Sequence, residues 1–253
     1  MKPVRAEFMS NSGQLLAARL DLPEGDPTAF AVFAHCFTCT KDFIAARRIS
    51  TALARHGIGV LRFDFTGLGG SGGEFANTNF TSNVDDLVSA ADYLSKNYKA
   101  PSLLVGHSLG GAACLAAATQ IESAKGAATI GAPADVAHVL HNFQADVEMI
   151  EREGQADVVL GGRTFKISKG FVDDAREAKL VDGLSKLRKA LLVMHSPIDA
   201  TVGIENATQI FSAAKHPKSF ISLDKANHLL TDERDATYAA TCIAAWSSRL
   251  ISK

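Results

Sequence analysis

The chain is short of cysteine, proline and tryptophan and has no surplus of charge: 253 residues hold 4 Cys, 7 Pro and 1 Trp, with 26 Lys and Arg against 27 Asp and Glu. Cys36, Cys39, Cys114 and Cys242 are too few and too dispersed for a disulfide scaffold. A formal charge of −1 supplies no field that draws nucleic acid or anionic lipid, so the expected partner is a small molecule. No apolar run approaches the roughly 18 residues of a membrane span. Met1 to Leu22 mixes Lys2, Arg5, Glu7, Arg19 and Asp21 among its apolar positions, so the apolar core of a secretory signal is missing and the expected location is the cytoplasm. There is no G-K-[ST], which excludes a P-loop. Repeats and low-complexity tracts are also missing.

What is present is an ordinary globular composition, 47% apolar and 21% charged. Ala6 to Met9 and Leu15 to Leu22 read as two strands turned at Ser10-Asn11-Ser12-Gly13. From Ala29 short apolar runs alternate with helix-period stretches: strand 29–34, helix 43–55, strand 59–65, helix 82–97, strand 103–106, helix 109–121, strand 127–130. The alternation resumes with strand 190–195, helix 203–214, strand 219–223 and a helix over 232–250. This pattern predicts an α/β fold, a mostly parallel doubly wound sheet with an antiparallel hairpin at its N-terminal edge. The stretch 134–189 is too long for a plain connection. It carries a helical pattern over 136–153, a hairpin turned at Gly161-Gly162 and a helix over 171–180. The expectation is one domain, 1–253, with a small cap inserted at about 134–189.

Gly106-His107-Ser108-Leu109-Gly110 is a G-x-S-x-G between an apolar run and a helical stretch, the strand-turn-helix setting this motif needs. The requirement is steric, because the turn that lifts the Ser108 Oγ leaves no room for Cβ atoms at Gly106 and Gly110. The bland alternative, a mere Gly-rich turn, does not account for that setting. Serine needs a base, and His228, in the loop between the last strand and the last helix, stands where an open α/β sheet rims its ligand crevice. His35 and His195 end strands but break the Ser, acid, His chain order. His56 and His216 read as surface residues at helix ends. The acid is Asp199, directly after strand 190–195, where a carboxylate accepts from the imidazole and holds its tautomer. Its competitor Asp135 more simply caps the helical pattern from Val136. Oxyanion donors, worth about 3 kcal/mol each, are expected from the backbone N–H of Leu109 and of Phe37, in the loop after strand 29–34.

Elbow, acid loop and base loop together resemble the α/β-hydrolase superfamily over nearly the whole chain. Asp64-Phe65-Thr66-Gly67-Leu68-Gly69-Gly70-Ser71 is similar to the D-x-x-G-x-G-x-S stretch after the fourth strand of its lipase- and aminopeptidase-like members. His35-Cys36-Phe37-Thr38-Cys39, Gly67 to Gly73 and Ile130-Gly131-Ala132-Pro133-Ala134 resemble hydrolase domains fused to a C-terminal OsmC-like peroxide-reductase domain. The chain ends at Lys253 without that domain, so a free-standing relative and one half of a fusion are both open, as is association with an OsmC-like partner. Many members read His-Gly where this chain reads His35-Cys36, a departure at the oxyanion loop.

Other patterns carry less. Gly67-Leu68-Gly69-Gly70-Ser71-Gly72 matches G-x-G-x-x-G with Asp85 and Asp86 further on, but those glycines open no helix and the aspartates end no strand, which argues against a dinucleotide site. Cys36 and Cys39 lack the second pair a zinc site wants and the thioredoxin-like setting a redox pair wants. They are expected as thiols packed under the loop, with a redox role as the alternative. His138 and His141 lack a third ligand for a metal and read as a solvated helix face. The expected function is therefore a serine carboxylic ester hydrolase for small or medium acyl esters, with no cofactor and no metal. A thioesterase, an amidase or peptidase with the same residues, and a non-hydrolytic redox accessory module are the alternatives.

Overall fold

Val4–Met9 (β1) and Leu15–Asp21 (β2) pair antiparallel, with Phe8 opposite Leu16 and Ala6 opposite Ala18 on the buried face. Gly13, at φ +80°, turns the hairpin and donates to the Ser10 carbonyl at 2.9 Å. These elements come from a computed structural model that describes residues 3–251; Met1, Lys2, Ser252 and Lys253, which the expected 1–253 unit includes, lie outside the described residues.

Ala29–Ala34 (β3), Ile58–Phe63 (β4), Leu103–His107 (β5), Gly126–Ile130 (β6) and Ala190–His195 (β9) are buried along their whole length, as parallel strands covered on both faces must be. Two strands between β6 and β9, Gln155–Leu160 (β7) and Arg163–Ser168 (β8), form a separate antiparallel pair, and Lys218–Ser222 (β10) closes the main sheet as a half-covered edge. The eight-stranded order is β1-β2-β4-β3-β5-β6-β9-β10. β2 meets β4 antiparallel, and from β4 onward every pairing is parallel. This is the α/β-hydrolase fold with the antiparallel N-terminal edge.

Helices Ile44–Arg55 (α1) and Glu233–Ile251 (α8) cover one face, where Phe33, Ile49, Leu53, Val105 and Ile243 pack together. Phe80–Asn97 (α2), Leu109–Ala117 (α3) and Glu205–Ala213 (α7) cover the other. The chain runs from β3 to β4 on one side and back to β5 on the other, so the strand order reverses between β3 and β5. At that reversal Ala34 pairs with Gly106, and the loops leaving both strands start side by side at the crevice where such sheets bind ligands.

The chain between β6 and β9 departs from its pattern. The single helix expected over 136–153 is a 3-10 helix, Val136–Phe143, followed by Gln144–Glu153 (α4), broken where Phe143 leaves helical geometry at φ −146°, ψ 36°. The break turns the Phe143 ring into the core, 6.2 Å from Phe37 and 6.4 Å from Phe171, so tertiary packing overrides helical periodicity. Lys169–Glu177 (α5) starts earlier than expected, with the Ser168 hydroxyl accepting from the Phe171 N–H, and Leu180–Leu184 (α6) is a separate turn. Among the described residues, no helix is long and apolar enough to cross a membrane.

Candidate active site

Ser108 sits at φ 55°, ψ −128°, a conformation that costs a non-glycine residue about 1–3 kcal/mol. The surroundings hold it there. Its N–H donates to the Ile130 carbonyl at the end of β6 at 2.8 Å, and its own carbonyl accepts from Gly111 at 2.8 Å. A Cβ on Gly106 would lie 2.3 Å from the Gly110 carbonyl oxygen, and one on Gly110 would lie 2.3 Å from that of His35. Both flanking glycines of the motif are thus demanded by close backbone approach.

His228 and Asp199 arrive from the loops after β10 and β9. The His228 Nε2 is 3.0 Å from the Ser108 Oγ, and its Nδ1 is 2.7 Å from the Asp199 Oδ2. The second carboxylate oxygen of Asp199 accepts from the N–H groups of Thr201 and Val202, each at 2.9 Å. Burial alone raises the Asp199 carboxyl pKa, but the hydrogen bonds from His228, Val202 and Thr201 outweigh it and hold the group below the usual carboxylate value. An ionised Asp199 makes the His228 Nδ1 a donor, so Nε2 is left as the acceptor of the serine proton. Ser108, His228 and Asp199 therefore form a continuous hydrogen-bonded line. Asp135 is not part of it: its carboxylate accepts from the Ala137 N–H at 2.9 Å and caps the 3-10 helix.

Gly131, at φ +56°, lets the backbone pass beside the Asp199–His228 pair, where an added Cβ would meet the Asp199 Oδ2 at 3.2 Å and the His228 Nδ1 at 3.4 Å. No local sequence signal marks this role of Gly131, because the contact is with residues far along the chain. His195 is fully buried behind the acid, its Nε2 2.7 Å from the Val202 carbonyl and 3.8 Å from the Asp199 Oδ2.

The facing wall is the loop from His35 to Phe43. Leu109 N–H opens α3, and neither it nor Phe37 N–H donates to a backbone or side-chain acceptor among the described residues. The left-handed position in this loop is Thr38, at φ 57°; Cys36 has no positive φ, so its position needs no glycine backbone. The expectation of free thiols at Cys36 and Cys39 is corrected: the two are joined in a disulfide. The turn that carries Thr38 brings their Cα atoms to 5.3 Å, within bridging range, and Cys39 N–H donates to the Cys36 carbonyl at 3.1 Å.

The loop is held from two directions. From below, the buried Asp64 carboxylate accepts from the Lys41 N–H at 2.5 Å, the Lys41 Nζ at 2.7 Å and the Gly70 N–H at 2.8 Å, and Arg62 donates to the Lys41 carbonyl and to Asp42, each at 2.7 Å. A Cβ on Gly69 would fall 2.2 Å from the Asp64 carboxylate, so the glycines of the 67–72 run make room for an acid. From above, the Phe37 ring packs on Phe75, Phe143 and Phe171 at centroid distances of 5.9, 6.2 and 5.5 Å, and Arg163 of β8 donates to the Thr38 carbonyl. These supports have no local sequence signal, because the aromatic residues are scattered over more than a hundred positions. His138 is half-buried with its Nε2 2.8 Å from the Thr201 carbonyl, and its ring meets exposed His141 edge-on at 4.8 Å. Among the described residues, no group of three or more His, Cys, Asp or Glu is arranged to hold a metal ion.

Comparisons with known proteins agree with this fold. The model of the alpha/beta hydrolase family matches residues 31–241. The esterase domain from a Rhodothermus marinus protein is 46% identical, with a TM-score of 0.81 and 100% of both chains covered. Est1E from Butyrivibrio proteoclasticus, solved with ferulic acid bound, is 20% identical with a TM-score of 0.79, covering 98% of this chain and 100% of its own. Mouse alpha/beta hydrolase domain-containing protein 10 is 20% identical with a TM-score of 0.80, covering 98% and 99%. The last two speak to the fold alone. No curated protein matches the sequence.

Proposed function

The chain belongs to the alpha/beta hydrolase family, whose members here include an esterase domain, and from that premise we propose that it is a serine carboxylic ester hydrolase acting through Ser108, His228 and Asp199. The observation that carries this reading is the unbroken hydrogen-bond line from the Ser108 Oγ through His228 to Asp199, at 3.0 and 2.7 Å.

Ser108 Oγ attacks the acyl carbonyl as its proton passes to the His228 Nε2, and Asp199 stabilises the imidazolium. The tetrahedral oxyanion is received by the N–H groups of Leu109 and Phe37, each worth about 3 kcal/mol in the transition state. His228 returns the proton to the departing alkoxide, leaving an acyl-Ser108 ester and free alcohol. A water then gives up its proton to His228, attacks the acyl carbonyl, and releases the acid as Ser108 recovers its proton. Thioesters and amides pass through the same oxyanion. Small or medium acyl groups are favoured because the segment 134–189 acts as a cap whose phenylalanines fill the space above Phe37. No cofactor enters these steps.

A non-hydrolytic redox module is the second reading, and the Cys36–Cys39 disulfide favours it. Association with an OsmC-like domain is consistent with either reading, and the Rhodothermus marinus relative is itself described as a domain of a protein. A fluorophosphonate probe tests the ester hydrolase directly: one adduct on Ser108 and none in Ser108→Ala is the expected result. A folded wild-type chain that takes no adduct overturns the proposal. A panel of esters, thioesters and amides of graded acyl length, with Ser108→Ala as control, then assigns the substrate class.

A further inference from the structure

The residue preceding the nucleophile has chemistry of its own. His107 ends β5 beside Ile130, and the alternation that sends Leu103 and Val105 toward α1 and α8 sends its ring the same way, away from the substrate side of the elbow. There its Nε2 lies 2.6 Å from the backbone carbonyl of His228, 121 residues away. A carbonyl only accepts, so Nε2 carries the hydrogen and His107 is the donor. The ring is buried, lies parallel to Phe43 at an interplanar angle of 7°, and leaves Nδ1 without a partner among the described residues.

An unpartnered buried nitrogen costs about 1–3 kcal/mol, which an apolar side chain of similar size would avoid. What the histidine offers in return is a donor at the base loop. That loop has no regular structure and passes through left-handed backbone at Asp224 and Leu230, φ 45° and 46°. Its neighbours tie it at Asp224, where the Ser196 hydroxyl donates to the carbonyl, and at Thr231, where Arg48 does. Between those ties, only His107 holds the carbonyl of His228 among the described residues.

We propose that His107 is a positioning residue: it hangs the base loop on the nucleophile elbow, so that the Ser108–His228 separation is set by a side chain one residue from Ser108. The inference rests on the serine hydrolase reading above. Electrostatics fit the role. Burial first, and the nearby His228 second, push the His107 pKa down to about 3, against smaller raising contributions from its bond to the His228 carbonyl and from Asp199. The groups facing it are His228, Asp199 and His35, and a neutral ring places no charge 5.1 Å from the base. The donor is therefore constant over the working pH range.

The experiment compares His107→Leu, which fills the space without donating, with His107→Gln, whose amide supplies an N–H at similar reach, on an ester hydrolysed by the wild type. His107→Leu is expected to lower kcat about 10- to 100-fold with KM within about twofold, since a displaced base costs on this scale. His107→Gln is expected to recover most of the loss, and the apparent pKa of the acidic limb of kcat/KM is expected to move in the Leu variant and return in the Gln variant. If the Leu variant does not fold, His107→Asn, which donates but is too short to reach, replaces it. Wild-type kcat in His107→Leu, or a Gln variant no better than the Leu variant, overturns the proposal. Activity persisting in Ser108→Ala overturns the serine reading instead, so the two failures are distinguishable.

Discussion

The two walls that face each other across Ser108 are built by different physics. The wall of Asp199 and His228 is a chain of directed hydrogen bonds between loops that leave adjacent strand ends, with Gly131 admitting the backbone beside them. The wall of Phe37 and Thr38 carries no such line. It is a short disulfide-bridged turn wedged between buried charges beneath, Asp64 and Arg62, and aromatic rings above, Phe75, Phe143 and Phe171. Directed bonds fix a position to tenths of an ångström, whereas packing fixes it only as well as every neighbour is in place. The first wall is expected to fail completely when one member is removed, and the second to degrade in steps.

The largest effect belongs to the first wall. Asp199→Asn keeps the shape but turns a permanent acceptor into a group that can favour the wrong imidazole tautomer, and kcat is expected to fall about 10⁴-fold. Steady-state kinetics with a thermal melt check this, and a fall below tenfold in a folded variant removes Asp199 from the mechanism. On the second wall, Phe171→Ala removes a ring packed on both Phe37 and Phe143. It is expected to destabilise the chain by about 3–5 kcal/mol and to lower kcat only about tenfold. An equal loss of kcat in the two variants would erase the distinction between the walls.

That distinction also explains what is legible in the sequence. Strand β3 and strand β9 were readable to the residue, and so was the elbow, because apolar runs bounded by turns and a glycine-spaced serine are local signals. His228 and Asp199, which the structure brings within hydrogen-bond distance of each other, could be named as candidates because chain order and strand-end position together leave few choices. The second wall depends on Phe37, Phe75, Phe143 and Phe171, four residues on four separate segments, and on Phe143 breaking a helix that periodicity draws as continuous. The disulfide is invisible in the sequence for a related reason: spacing alone does not reveal that Thr38 takes a left-handed turn bringing the two Cα atoms within bridging range.

The anchoring under the second wall is sensitive to pH. Asp86 of α2 accepts from the Thr66 N–H at 2.8 Å and from its hydroxyl, fastening the segment that leads from Asp64 to Gly70. Burial raises its pKa to about 6, against the opposing hydrogen bonds from Thr66. A folded value above the unfolded one means the native state binds the proton more tightly. Stability contributed by protonated Asp86 is therefore full below about pH 4 and is lost as pH rises through about 6, by about 1–3 kcal/mol. Urea unfolding of wild type and Asp86→Asn at pH 5 and pH 7 checks the sign: the stability difference between the proteins should change by that amount, and an unchanged difference removes Asp86 from the account.

The smallest effect is expected where the second wall is most conspicuous, at the Cys36–Cys39 bridge. Cross-linking residues only three apart in sequence closes a tiny loop, so the bridge stabilises the fold by about 2 kcal/mol at most, and reduction should leave the sheet intact. Its consequence is local. Thr38 holds a left-handed backbone that costs about 1 kcal/mol, and the bridge, the Arg163 contact to the Thr38 carbonyl and the Phe37 ring packing together keep it there. Two of those three supports survive reduction, so the Phe37 N–H should shift only slightly. Treatment with a dithiol reductant, followed by thiol counting, is expected to lower kcat about two- to fivefold at unchanged KM. Cys36→Ser with Cys39→Ser should match the reduced protein and ignore the reductant. Combining that pair with Arg163→Ala removes a second support and should cost more than the product of the separate losses, since both act on the same peptide. Strict multiplicativity would mean that the bridge and the Arg163 contact act independently rather than through one shared peptide, whereas no loss at all in the cysteine pair would mean that the second wall rests on packing with no covalent contribution.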